Sequence, residues 1–300
     1  MKMRKDITFA SKGLRCNGWL YVPDNLKSGQ KAPAIVMANG LTGVKEAILP
    51  DYAERFAAAG FVTLAFDHRF FGDSEGEPRS QVFPLEMAED CRNAITWVSQ
   101  QPEVDPRRIG IWGTSYGGPL VIWVGTFDKR VKAVVAQVPA PMHPPPMRRA
   151  SDPEGWDRLG ELLVRDRIER YKTGVVNYMK LVASEGEPCY LPGKEAYDGV
   201  MTLLKAPNWR NQITLESLEK MREFDAVSSI QLMSPTALLM IPAEKESLVL
   251  SYMDAVKATY EKAQPPKDMI VLPIRHFEIY REPWLSKSAD AAINWFKQYL

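Results

Sequence analysis

The sequence predicts an α/β fold with a mostly parallel central sheet flanked by helices, into which a helical segment is inserted late in the chain. Three observations carry this reading. Short β-rich runs alternate with longer helical stretches through the first half, a pattern that gives strand, crossover helix and parallel strand in series. The alternation stops at residues 139–146, where five prolines in eight positions forbid both a regular helix and a central strand. It resumes near Thr236 with another buried run.

In chain order, residues 6–9 and 14–22 flank Ser11-Lys12-Gly13 and read as an antiparallel hairpin. The run 34–38 precedes a helix over about 48–59, and the run 61–66 precedes one over 85–99. The run 108–112 leads into a helix starting near Tyr116, and 131–138 follows as the next strand. Residues 141–230 then read as a helical cap between core segments 1–140 and 231–300, with 156–171 and 214–224 as its clearest helices. The core closes with a strand over 236–241, a helix over 251–263, a strand over 268–272 and an amphipathic helix over 288–300.

Composition removes several function classes. Of 300 residues, 45% are hydrophobic and 25% charged, so the chain is too apolar for disorder and long enough for a large core. Thirty-eight Lys and Arg against 37 Asp and Glu leave a net charge of +1, which carries no footprint for nucleic acid or an anionic membrane. Cys16, Cys91 and Cys189 are odd in number and widely spaced, fitting a reducing compartment better than a disulfide framework or a zinc site. With no apolar leader and no membrane-length apolar run, a cytoplasmic location is expected. Neither a dinucleotide fingerprint, a Walker motif nor a Cys/His cluster occurs, so no cofactor or metal is expected. The partner implied by this balance is uncharged or small, and homo-oligomerisation is left open.

Chemistry concentrates in Gly113-Thr-Ser115-Tyr-Gly117, a G-x-S-x-G motif between a predicted strand and a predicted helix. Such a turn lifts Ser115 above the sheet edge in a strained backbone, while Gly113 and Gly117 remove side chains that would collide with the adjoining elements. The helix that follows aims the Tyr116 amide at a developing oxyanion. A serine nucleophile needs a base. Of three histidines, His143 lies in the proline tract, His68 in a turn after a strand, and His276 in the loop that returns to the carboxyl edge after the last strand; position selects His276. The orienting acid belongs after Ser115 and before His276. Pro242-Ala-Glu244-Lys-Glu246 offers two carboxylates, of which Glu246 is preferred and Glu244 is its rival. The loop Asn39-Gly40-Leu41 supplies the second oxyanion amide, at Leu41. Met142, Trp156, Tyr178 and Trp209 are candidate lining residues of an apolar acyl pocket, and Asp67 is expected to pair with Arg69.

These residues amount to a resemblance. Ser115, an acid near 246 and His276, in that order, resemble the α/β-hydrolase fold. Asn39-Gly-Leu-Thr-Gly43, Phe66-Asp-His-Arg-Phe-Phe-Gly-Asp-Ser-Glu-Gly76, Trp112-Gly-Thr-Ser-Tyr-Gly-Gly118, Asn211-Gln-Ile-Thr-Leu215 and Arg275-His-Phe-Glu-Ile-Tyr280 are similar to segments of its dienelactone-hydrolase-like group. That group contains fungal polyketide-pathway hydrolases and acyltransferases of the polyketide transferase type. The resemblance implies a serine hydrolase or acyltransferase acting on a bulky apolar ester, thioester or lactone. It also implies Asp at position 246 and Gly-Gly before the histidine, where this chain has Glu246 and Ile274-Arg275. Carbon-carbon bond cleavage on the same site is an enzymatic alternative, and a binding protein without turnover is the alternative from another class. An acyl-enzyme adduct separates the last from the others.

Overall fold

The computed structural model describes residues 3–140, 153–249 and 251–300. Strands β1 (Met3–Ser11) and β2 (Leu14–Val22) form the expected hairpin. Its two-residue turn needs positive φ at both positions, which Lys12 (φ 50) and Gly13 (φ 80) supply. Strand β3 (Ala32–Ala38) leads to helix α1 (Leu49–Ala58), β4 (Val62–Phe66) to α2 (Pro84–Ser99), and β5 (Val104–Thr114) to α3 (Gly117–Phe127). Strand β6 (Val131–Gln137) follows.

After the proline tract come α4 (Pro153–Thr173), β7 (Tyr178–Met179), α5 (Lys194–Leu203), β8 (Ile213–Thr214) and α6 (Leu215–Glu223), with β7 and β8 paired in their own small sheet. The core resumes with β9 (Ala237–Ile241), α7 (Tyr252–Lys262), β10 (Lys267–Met269) and α8 (Trp284–Tyr299). The main sheet runs β1-β2-β4-β3-β5-β6-β9-β10, antiparallel in its first two pairings and parallel thereafter. Strand order reverses between β3 and β5. At such a switch point, loops leaving neighbouring strands diverge and open a crevice at the carboxyl edge. Ala38 pairs with Gly113 there, so the Asn39 loop and Ser115 emerge side by side.

Two apolar layers sandwich the sheet. On one face α1 and α8 bury Leu49, Tyr52, Phe56, Leu285, Trp295 and Phe296; on the other, α2, α3 and α7 bury Ile95, Val98, Val121, Val124 and Val256. Each large aliphatic or aromatic side chain fully removed from water contributes about 1.5–3 kcal/mol, so these layers hold the edge loops in place. A third cluster joins the inserted segment to the core, bringing Leu163, Leu181, Val200 and Met221 together with Tyr116 and Leu120 at the start of α3. Among the described residues, no helix is long and apolar enough to cross a membrane.

Two local expectations are revised. The last strand ends at Met269, and Leu272 rejoins the sheet edge only through a bridge to Ala243. Asp67 does not pair with Arg69. Arg69 is drawn to α2, where its Nε lies 2.5 Å from Asp90 and its Nη2 2.7 Å from Glu86. Asp67 instead accepts from the Lys45 amide (2.6 Å) and ammonium (2.9 Å). Asp73 and Glu46 each lie 2.6 Å from the same ammonium, so three carboxylates converge on Lys45. Burial pushes the Lys45 pKa down, but these carboxylates outweigh it and hold the pKa above the ordinary lysine value. Lys45 and Asp67 are 4% and 0% exposed, and removing one member of a buried pair leaves the other uncompensated. Lys45→Met is therefore expected to lower stability by about 3–5 kcal/mol, read from the urea midpoint, whereas a loss under about 1 kcal/mol would show that the cluster is not structural.

Candidate active site

Ser115 sits at φ 54, between the end of β5 and the start of α3. Positive φ in a residue with a Cβ is a strained state that neighbouring structure must enforce. The enforcement is visible. The Ser115 amide donates to the Gln137 carbonyl (2.9 Å), and its carbonyl accepts from the amides of Gly118 and Ala140 (both 3.0 Å). A Cβ on Gly113 would lie 2.3 Å from the Gly117 carbonyl oxygen, and one on Gly117 would lie 2.4 Å from that of Ala38. Only glycine at both positions lets β3, β5 and α3 approach this closely.

His276 opens a short 3-10 turn, His276–Tyr280, and is 6% exposed. Its Nε2 lies 3.0 Å from Ser115 Oγ and its Nδ1 lies 2.5 Å from Glu246 Oε2. A carboxylate can only accept, so Nδ1 carries the proton and Nε2 is left to accept from the serine hydroxyl. Backbone bonds set this register. Leu272 N donates to Pro242 O (3.0 Å), Glu244 N to Leu272 O (2.8 Å) and Lys245 N to Ile274 O (2.9 Å), zipping the loop after β9 onto the loop after β10. The chain turns at Glu244 and Lys245, leaving Glu244 exposed and directing Glu246 inward, its side chain 1% exposed. Burial pushes the Glu246 carboxyl up, but His276 and the Leu248 and Ser247 amides outweigh it and hold its pKa below the ordinary glutamate value. Arg275 turns outward, with its side chain 62% exposed and its guanidinium 3.7 Å from Glu195. Its charge is therefore spent away from the imidazole.

The Asn39 loop closes the other side. Asn39 accepts from the Gly40 amide (2.8 Å) and donates to the Val44 carbonyl (2.7 Å), which curls the loop around Leu41. A Cβ on Gly40 would lie 3.4 Å from Ser115 Cβ, so this backbone reaches the serine. Leu41 and Tyr116, the two residues expected to offer oxyanion amides, both line the cavity that contains Ser115.

A cavity of about 700 Å³ opens from Ser115 and is lined mainly by apolar groups, including Leu181, Tyr190, Leu191, Val200, Leu203 and Met221. Three of the expected lining residues lie elsewhere. Trp156 is held under the Arg222 guanidinium at 3.8 Å, and Tyr178 is 42% exposed on β7. Trp209 is turned toward the Asn39 loop, where its Nε1 donates to Thr42 Oγ1 (3.1 Å). Met142 lies outside the described residues.

A buried polar chain beneath the serine escaped the sequence reading. Thr114 Oγ1 lies 2.7 Å from Tyr280 Oη, and Gln137 Nε2 donates to Thr114 (3.3 Å) and to Tyr52 Oη (2.9 Å). Tyr52 Oη in turn lies 3.0 Å from Ser288 Oγ. The ends of β5 and β6 are thus tied to α1, α8 and the turn that bears His276. Its one signal in the sequence is Gln137, a polar residue closing the apolar run Val-Lys-Ala-Val-Val-Ala-Gln.

A parallel sheet carrying a serine elbow, with histidine and acid on the two loops beyond, defines an α/β-hydrolase. The family described as X-Pro dipeptidyl-peptidase (S15 family) matches residues 12–144. A polyketide transferase of Stachybotrys chlorohalonatus is 30% identical over 275 residues, covering 89% of this chain and 88% of that protein. A thiohydrolase of Aspergillus aculeatus is 32% identical over 244 residues, covering 79% and 74%. Among solved structures, the α/β-hydrolase GrgF from a Penicillium species superposes with a TM-score of 0.85 at 26% identity, covering 99% of each chain. The chain belongs to the α/β-hydrolase family of ester- and thioester-acting enzymes that includes these fungal polyketide transferases and thiohydrolases.

Proposed function

We propose that the protein hydrolyses an apolar ester, thioester or lactone through an acyl-enzyme on Ser115. The observation that carries this reading is the line Ser115, His276, Glu246, joined at 3.0 and 2.5 Å and opening on the apolar cavity. Ser115 Oγ attacks the acyl carbon while His276 Nε2 takes its proton, and the amides of Leu41 and Tyr116 receive the oxyanion. The tetrahedral adduct collapses by expelling the alkoxide or thiolate, which takes the proton from the imidazolium. Water then adds to the acyl carbon, giving one proton to His276, and the acid leaves as Ser115 recovers its hydrogen. Glu246 stays ionised and stabilises the imidazolium at both stages. Acyl transfer differs only in the second half, where an alcohol replaces water; the relative named polyketide transferase supports this second reading.

Intact-mass measurement after mixing with a panel of acyl esters and thioesters tests the proposal. A Ser115-linked acyl adduct that decays to free acid is expected. Absence of an adduct and of product across the panel would leave a binding protein instead. Added alcohol diverting the product to an ester marks the transferase. Because the cavity is apolar, kcat/KM is expected to rise with acyl length at about 0.8 kcal/mol per buried methylene, roughly fourfold each. A strict preference for acetyl or charged acyl groups contradicts an apolar acyl site.

A further inference from the structure

Helix α4 presents two unlike faces. Inward, Leu163 and Asp166 are buried, and Gly155 and Arg158 line the cavity above Ser115. Outward, Val164, Ile168 and Tyr171 follow one another at spacings of four and three, which places them in a single stripe. They are 58%, 48% and 92% exposed, and the stripe continues past the helix end through Val175 and Tyr178 at 47% and 42%. Scattered apolar residues on a surface are ordinary, but a continuous stripe of this kind marks an interaction surface.

The charges beside the stripe select its occupant. Asp157 and Glu161 stand in the N-terminal half of α4, and Arg165 and Lys172 in the C-terminal half, all exposed. This order of two acids then two bases is self-complementary when a two-fold axis runs two copies of the helix antiparallel. A register that sets Val164 against the partner's Ile168 also brings Glu161 beside the partner's Lys172. Antiparallel helix dipoles favour the same arrangement. A surface of single charge sign would match one half of the helix and oppose the other. We infer that the outer face of α4 is an isologous interface between two copies of this chain. Pairing there pins from outside the helix whose inner face lines the cavity.

Sedimentation velocity on the full chain between about 1 and 100 μM tests the interface. The parent is expected to dimerise. Ile168→Asp and Tyr171→Glu, both at exposed positions, are each expected to weaken the dimer by about 100-fold or more, with a thermal midpoint equal to the parent's when both are measured dilute enough to be monomeric. If Ile168→Asp perturbs folding, Tyr171→Glu decides. Glu161→Lys alone is expected to weaken association, and Glu161→Lys combined with Lys172→Glu to restore it to within about threefold. A parent that stays monomeric at about 100 μM assigns the stripe to a different protein and overturns the inference. So does a dimer indifferent to both apolar substitutions, or a double charge reversal that fails to recover association.

Discussion

Ser115→Ala is expected to lower kcat by about 10³-fold or more while leaving the thermal midpoint unchanged. Both halves of that expectation follow from the geometry. Alanine retains the Cβ that makes φ 54 unfavourable, so the strain and the backbone bonds that enforce it are the same in both proteins. What disappears is the oxygen 3.0 Å from His276 Nε2, the atom that would form the acyl bond in the proposed mechanism. Residual activity would come from the amides of Leu41 and Tyr116 and from substrate binding alone. A fluorophosphonate probe gives the decisive readout: the parent gains a covalent label and the variant none. Equal labelling of both would remove Ser115 from the mechanism.

The second large effect separates two glutamates two positions apart. Glu246→Gln is expected to lower kcat by about 10²–10⁴-fold, whereas Glu244→Gln stays within about tenfold. The amide keeps the shape of the Glu246 side chain but carries no charge to stabilise an imidazolium. It also offers Nδ1 either a neutral acceptor or a competing donor, so the tautomer that leaves Nε2 free to accept is no longer enforced. Glu244 is exposed at the turn, and its backbone amide, which holds the two loops together, is untouched by the substitution. Steady-state kinetics on the two variants checks this directly. An exchange of their outcomes moves the acid to Glu244, and full activity in both dismisses a charged third member.

The core was legible because its signals are local. Buried strands such as Ala32–Ala38 and Val62–Phe66 are continuous apolar runs, and the serine elbow needs small residues at fixed offsets. Ser115, His276 and Glu246 were accessible for the same reason: chain order in a parallel sheet fixes which loops meet at the carboxyl edge. The inserted segment yielded less. Helix α5 was missed because the face it buries carries Ala196, Gly199 and Val200, too small to raise an apolar periodicity. Gly199 is small for a tertiary reason, since a Cβ there would lie 2.3 Å from the Phe277 ring beside His276. The aromatic residues assigned to the pocket failed on the same ground. Trp156 and Trp209 are placed by Arg222 and Thr42, partners that are distant in the chain and leave no mark on local spacing.

The zip between the loops after β9 and β10 consists wholly of main-chain bonds, and main-chain bonds are indifferent to which side chains the loops carry. The meeting place of acid and base is therefore inherited with the sheet rather than with any one residue. Descent can lengthen the acid by a methylene, or replace small neighbours of the histidine by Ile274 and Arg275, without unmaking it. A glutamate where the resemblance implies aspartate is then a variation that this scaffold tolerates by construction, and the chemistry can drift toward new acyl groups while its frame stays put.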